Sequence, residues 1–328
     1  MISSLSVLTE DAVETYLNHK IDKGNPAPLF DRFGNQLHNS AGEPLCLSYT
    51  HAAAYVAEVI RRSGLVNPQT TQDVAELSIP FWQPTDVLLF SKDGFVIIGM
   101  RSNVTKNAIG KCLTAAAGFP QAKGQPEDAL SCGHRELPEE TSLVWNNVAA
   151  RDVDLGLITD RPLQKYNIKT LEGETLPGIV PTIVRTFALQ ANQDRNALLD
   201  QMRANHESAG FVVMNMDDFC KLADNPSAII SADFVPSSGL TIPIPNGSLL
   251  ADLRRILEMP ETAKISPSIE GYKLRSSIYV RVTGEDFMHN GSPETLIKTI
   301  KAAQILGIIS FNPSAAISEP PKFADAKL

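Results

Sequence analysis

Six residues constrain this chain more than any others: Arg135-Glu136-Leu137-Pro138-Glu139-Glu140 sets three carboxylates and one guanidinium side by side. On a helix, Glu136 stands three and four residues before Glu139 and Glu140, so the three side chains project to one side a few ångströms apart. Like charges at that spacing repel. Either water on an exposed face or a divalent cation with a preference for hard oxygen ligands, typically Mg²⁺, relieves the repulsion. Leu130, Gly133 and Leu137 give the same helix an apolar stripe, with Gly133 permitting close backbone approach to the layer beneath. One face is thus expected to bury while the other displays acid. An ordinary solvated helix in an unrelated α/β protein, its acidic residues purely structural, is the competing reading.

The wider stretch 127–143, EDALSCGHRELPEETSL, resembles the Nudix box, G-x5-E-x7-R-E-U-x-E-E-x-G-U, in which U is a bulky apolar residue. Glu127, Arg135, Glu136, Leu137, Glu139, Glu140 and Leu143 match. Gln121 stands in place of the first glycine, Ser142 in place of the last, and Pro138 fills the free position inside the helix. Gly118 is the nearest glycine, so the loop reads as three residues longer.

The resemblance implies an α/β fold: a Nudix-like α/β/α sandwich with a mixed sheet, carrying N-terminal and C-terminal α+β extensions. It also implies chemistry at a diphosphate linkage, which requires screening the phosphoryl oxygens, placing a water in line and removing its proton. Glu136 and Glu140, one turn apart, are the metal ligands for Mg²⁺ or Mn²⁺, holding one ion or bridging two. Glu139 is the third carboxylate, a ligand or a water-orienting base. The resemblance adds a backbone carbonyl ligand, by position that of Ala117 or Gly118. Arg135 and Glu127 are expected to hold each other and orient the helix, a structural role at the site. Glu207, beside His206 in a late acidic segment, is the candidate for a further base or ligand.

Composition bounds the partners. At 328 residues and 43% hydrophobic, the chain can bury a substantial core in one large domain or two to three small ones. Its 29 basic and 37 acidic residues, net charge −8, argue against a nucleic acid or an anionic membrane as main partner. A phosphorylated substrate then needs a metal to offset its charge. Cys46, Cys112, Cys132 and Cys220 lie far apart with no C-x2-C pair, which suggests reduced thiols in a cytoplasmic protein rather than zinc or disulfides. The start of the chain lacks the basic and apolar segments of a leader, and no run approaches bilayer-spanning length.

In chain order, Thr9 reads as N-cap of a helix to about residue 20, and residues 24–42 as loop or short hairpins. Thr50 reads as cap of a second helix stopped by Gly64, with His51 near its start as a solvated residue or a substrate contact. Two β-rich apolar runs around Lys92-Asp93-Gly94 predict a hairpin from Asp86 to Met100. The acidic helix is expected to start near Pro126 with Glu127 and Asp128 in its first turn. Residues 154–159 and 182–190 read as strands separated by a polar insertion, 194–205 as a helix, 210–216 as a strand and 216–224 as a short helix. Beyond these come a helix opened by Asn246 or Ser248 and a strand at 276–282. An amphipathic helix follows from Ser292-Pro293, with Leu296, Ile297, Ile300, Ala303 and Leu306 on one face. That face is expected to dock on its own chain or, in a homodimer, on a second subunit. The tail 313–328 is expected to be poorly ordered. The division that follows is an N-terminal helical and loop extension at 1–78, a Nudix-like domain at 79–225 and a C-terminal α+β extension at 226–328.

The box says little about specificity. Trp82, Phe119 and Trp145 are candidates to stack on a base, and each is as readily a core or rim aromatic. Arg101 ends a hairpin strand within possible reach of a phosphate, whereas Arg185, inside a strand, is expected to pair with a carboxylate. Two functions follow: a metal-dependent hydrolase of a nucleoside diphosphate linked to another moiety, sugar or dinucleotide, or a catalytically silent Nudix-fold binding or regulatory module.

Overall fold

The computed structural model describes residues 8–22, 24–105, 108–259, 261–262, 264–289 and 292–310; the expectation for the tail lies outside them. Its elements begin with α1 (Glu10–Leu17), β1 (Pro26–Pro28), β2 (Cys46–Ser48), α2 (Tyr49–Ser63), β3 (Thr85–Phe90), β4 (Phe95–Arg101) and β5 (Ala116–Gly118). Next come α3 (Ala129–Thr141), α4 (Trp145–Val148), β6 (Ala149–Ile158), β7 (Gln164–Lys169), β8 (Thr175–Val180) and β9 (Val184–Ala191). Then follow α5 (Arg195–Gln201), β10 (Arg203–Ala204), β11 (Ser208–Asn215), α6 (Met216–Asp224) and β12 (Ile230–Pro236). The last are β13 (Ser248–Leu249), α7 (Leu250–Glu258), β14 (Tyr272–Lys273), β15 (Ile278–Val282) and α8 (Glu294–Ile305).

Among the described residues, nine strands form one sheet in the order β13-β15-β12-β11-β4-β3-β9-β6, with β5 also on β3. β3 runs parallel to β9 and antiparallel to β4, so the sheet is mixed, as expected. The hairpin β3–β4 forms where the Asp-Gly turn placed it, with Gly94 at φ +81°. Alternation along β3 divides the core. Val87 and Leu89 join Ile97, Phe211, Val213 and Leu137 of α3 on one face. Leu88 and Phe90 join Val96, Ile98, Met100 and Val212 under α6, α7 and α8 on the other. Helices therefore cover both faces, and the chain is an α/β/α sandwich. Burying Leu137 completely contributes roughly 2 kcal/mol.

Several expectations need correction. The boundary set between 225 and 226 falls inside the sheet, because β12 pairs with β11 and β15 with β12. The insertion between the strands at 154–159 and 182–190 is the hairpin β7–β8, whose Ile168 and Val180 pack with Ala52, Val56 and Ile60 of α2 in the N-terminal core. The second helix is capped by Ser48, not Thr50. His51 is consequently buried: its ring meets the Ser48 hydroxyl through Nδ1 and the Glu14 carboxylate through Nε2 at 3.1 Å, tying α1 to α2. It contacts no part of the acid-lined cleft described below.

The amphipathic helix α8 docks on its own sheet, with Leu296, Ala302 and Ala303 buried there. Lys298, only 2% exposed, is neutralised by Asp86 of β3 and by Glu294 at 3.5 Å. Removing one member of a buried pair strands the other charge, at roughly 3–5 kcal/mol. Among the described residues no helix is long and apolar enough to cross a membrane.

Candidate active site

The acidic helix α3 lies against β3. Asp128, not Pro126, starts it: the Asp128 side chain accepts from Ser131 N at 2.7 Å, leaving Glu127 just before the helix. The Thr85 hydroxyl of β3 donates to the Ala129 carbonyl at 2.9 Å. Gly133 faces the sheet so closely that an added Cβ would stand 3.3 Å from Trp145 and 3.4 Å from Thr85. The buried stripe is Ala129, Cys132, Gly133 and Leu137. Leu130 is 44% exposed, because the small residues turn the helix onto their own side and put Leu130 on the flank.

Pro138 does not break α3, which runs unbroken from Ala129 to Thr141. Proline has no N–H for the His134 carbonyl, but Leu137 and Thr141 are both fully buried and hold the turns on either side. Thr141 further donates its hydroxyl to the Leu137 carbonyl at 2.6 Å. Glu136 and Glu140 thus stay one turn apart on one helix. The helix ends at Ser142, which takes φ +63°, the left-handed conformation that favours glycine.

Arg135 organises the carboxylates. Its Nε and Nη2 donate to the two oxygens of Glu127 at 2.7 and 3.0 Å. Its Nη1 donates to Glu136 at 2.7 Å and to Glu139 at 2.9 Å. Nη2 also reaches the Phe119 carbonyl at 3.0 Å, fixing the loop before the helix. Glu127 in turn accepts from Gln121 N at 2.9 Å, so the residue standing in the first glycine position anchors the lengthened loop.

Glu136 lies under the end of β5. Burial pushes its carboxyl up to about 7, against the attraction of Arg135. Burial also raises Glu140 well above the usual carboxylate range, with repulsion from Glu136 and Glu207 adding to it; Arg101 and the Ala117 backbone N–H work the other way. Gly118 leaves room for the Glu136 carboxylate, and its own carbonyl accepts from the Cys132 thiol at 3.6 Å. Burial raises that thiol to about 12, so it is protonated.

Glu207 arrives from the opposite wall. Pairing of β4 with β11 sets Arg101 opposite Ser208, and Ser102 N donates to the Glu207 carbonyl at 2.6 Å. The Ser102 hydroxyl donates to the His206 carbonyl at 2.7 Å. A cleft of about 620 Å³ results, lined by Arg101, Phe119, Arg135, Glu136, Glu139, Glu140, His206 and Glu207. Behind Glu140 a cavity of about 30 Å³, the size of one water, opens among Arg101, Thr114, Ala117, Glu207 and Ser208.

The structure therefore brings Glu136, Glu139, Glu140, Glu207 and Gly118 to one cleft. Of the aromatic candidates, only Phe119, 41% exposed, lines it; Trp82 and Trp145 are buried in the core. Trp145 stacks on His134 with centroids 4.6 Å apart and donates to Asp152 at 3.0 Å. Arg185 pairs with Asp154 at 2.9 Å. Asn205 and Ser268 also line the cleft and carried no signal in the sequence, since long-range folding alone delivers them.

The donor chemistry fits a hard divalent cation: two carboxylates in a desolvated recess, each raised in pKa chiefly by burial, which outweighs the pull of Arg135 on Glu136 and of Arg101 on Glu140. One oxygen of Glu136 is committed to Arg135, and among the described residues no three or more His, Cys, Asp or Glu side chains are arranged to hold a metal ion.

No family model and no curated protein matches this chain. Among solved structures it is similar to DR0079 from Deinococcus radiodurans, 11% identical with a TM-score of 0.29, over 44% of this chain and 74% of that one. It is also similar to a MutT protein from Methanosarcina mazei, 15% identical with a TM-score of 0.29, over 44% of this chain and 85% of that one. Each likeness spans less than half of this chain, and the chemistry is read from the cleft itself.

Proposed function

We propose that this chain is a metal-dependent hydrolase of a nucleoside diphosphate linked to another moiety, of the sugar or dinucleotide type, working through a Nudix-type site. The observation that carries the proposal is the convergence of Glu136, Glu139, Glu140 and Glu207 on one cleft, two of them desolvated. Glu136 and Glu140 would hold Mg²⁺ or Mn²⁺. When bound, such an ion screens phosphoryl charge and orients a water. Glu139 and Glu207, with side chains 53% and 46% exposed, stand where they can accept a proton from a water in the cleft. Arg135 keeps Glu127, Glu136 and Glu139 in register. Phe119 offers an apolar face to a base.

The test is turnover of a panel of nucleotide diphosphates by the purified chain with Mg²⁺ or Mn²⁺. Glu140→Gln is expected to keep the fold and to lower kcat by about two orders of magnitude or more. Equal activity in the variant would remove Glu140 from the site. The Arg135–Glu136 ion pair favours a second reading, a silent binding or regulatory module, since it occupies the first metal ligand. Binding of a nucleotide diphosphate without turnover of any panel member would establish that reading instead.

A further inference from the structure

We propose that Asn205 and Ser268 form the subsite for the sugar of the ligand, the uncharged, hydroxyl-bearing group joined to the diphosphate. This rests on the reading of the cleft as a diphosphate site, though not on turnover.

The lining of the cleft divides by charge. Helix α3 brings Arg135, Glu136, Glu139 and Glu140, and Glu207 faces them from the opposite wall. A metal ion and phosphoryl oxygens belong among these ionic groups. The polar lining residues that carry no titratable group are Gln121, Asn205 and Ser268. Gln121 sits in the loop before α3, whereas Asn205 and Ser268 are brought to the cleft together by the C-terminal part of the chain.

Their placement follows from one small pairing. Asn205 directly follows β10, and β10 pairs with β14, setting Ala204 against Tyr272. Gly271, at φ +69°, lies so close to β10 that an added Cβ would stand 3.2 Å from the Ala204 carbonyl oxygen and 3.2 Å from Arg203 Cβ. The turn before it closes on itself: Gly271 N donates to the Ser268 carbonyl at 3.3 Å, and the Ser268 hydroxyl donates to the Gly271 carbonyl at 3.3 Å. Ile265, buried in the core, and the Tyr272 hydroxyl, which donates to the Ser266 carbonyl, hold the turn from either end. The turn is thus a fixed part of the cleft wall.

Each side chain keeps half of its hydrogen-bonding capacity for a ligand. Asn205 Oδ1 accepts from Glu207 N at 2.9 Å, and because an N–H only donates, the atom it meets must be the amide oxygen. Among the described residues nothing accepts from the amide nitrogen, Nδ2. The Ser268 hydroxyl uses its proton on Gly271 and keeps a lone pair. One neutral donor and one neutral acceptor complement sugar hydroxyls, each of which both gives and takes a hydrogen bond. The bond from Asn205 to Glu207 N ties this subsite to the carboxylate wall, so the sugar would lie beside the diphosphate.

The test is calorimetric binding to the full chain in Mg²⁺ of two probes that resist hydrolysis. One is α,β-methylene ADP-ribose, which carries sugar and diphosphonate; the other is imidodiphosphate, which has no hydroxyl-bearing group. Wild type, Asn205→Ala and Ser268→Ala are compared, with a thermal melt of each as the fold control. Each variant is expected to lose roughly three- to tenfold in affinity for the sugar probe, the range of one neutral hydrogen bond, and to hold imidodiphosphate within about twofold of wild type. Should Asn205→Ala not fold, Ser268→Ala, at an exposed turn, alone decides. Unchanged binding of the sugar probe by either folded variant overturns the proposal, as does an equal loss for both probes, which would mean that the residue acts on the carboxylate wall. Wild type that binds imidodiphosphate but not the sugar probe overturns the subsite and leaves the diphosphate reading standing. Wild type that binds neither probe overturns both; binding of the sugar probe alone, weakened in the variants, sinks the diphosphate reading and supports the subsite.

Discussion

The Glu136 carboxylate occupies the space that a side chain at Gly118 would need: an added Cβ would stand 1.7 Å from Glu136 Oε1 and 2.1 Å from Cδ. The colliding atoms are the tip of a flexible side chain, so the conflict is resolved by Glu136 swinging away rather than by unfolding. Gly118→Ala is therefore expected to stay within about 1 kcal/mol of wild-type stability while losing Mg²⁺ affinity and activity. Thermal melts and Mg²⁺ calorimetry on the variant check this. Undiminished Mg²⁺ binding would show that Glu136 is not a ligand.

The metal-free chain should become less stable as pH rises through neutrality. Burial holds the Glu136 carboxyl at about 7 in the fold, against 4.5 ordinarily. The unfolded chain thus releases its proton first, and stability falls from about pH 4.5 and levels off above about pH 7. Glu140 adds to the loss in the same direction. The contribution of Glu136 is on the order of 3 kcal/mol. Urea midpoints at about pH 5 and about pH 8 measure it, and Glu136→Gln should flatten the difference. A stability that rises across this window would contradict the desolvation of Glu136.

Ser142 sits where glycine is at ease. It is exposed and takes φ +63° at the end of α3, so Ser142→Gly loses no packing and relieves a left-handed conformation. The gain is expected to be about 0.5–1 kcal/mol, reduced by the greater freedom of glycine in the unfolded chain. A denaturant midpoint below that of wild type would go against it.

Pro138→Ala restores a donor to the His134 carbonyl without moving the flanking anchors Leu137 and Thr141. Because α3 already runs through the proline, both forms should bind Mg²⁺ or Mn²⁺ with similar affinity, the alanine form being at least as stable. Calorimetry that finds binding only in the variant would mean that the proline spoils the site.

The local parts of this architecture were legible because each is written in a few adjacent residues. The hairpin β3–β4 follows from two apolar runs about an Asp-Gly turn, and the acidic face of α3 from the spacing of Glu136, Glu139 and Glu140. Polar composition hid the hairpin β7–β8: of Gln164–Lys169 only Ile168 is buried, so the alternation that marks a strand is almost absent. Leu130 misled because hydropathy alone does not tell which of two overlapping stripes can approach a sheet; Gly133 and Ala129 decide that by size. Ser268 and the side of the cleft that Glu207 takes depend on pairing between distant segments, which no local pattern encodes.

Lys298 on α8 neutralises Asp86 on β3 across 212 residues of sequence. Asp86 is the register partner of Ala117, whose N–H meets Glu140, so the carboxylate cleft shares a strand with a contact made near the far end of the described chain. The parallel pairing of β3 with β9 spans another long interval. Closing loops of that length costs chain entropy before any contact returns it, which makes assembly slow relative to helical bundles of comparable size. The cleft is accordingly expected to form only when segments far apart in sequence have paired, whereas the acidic helix is written in adjacent residues.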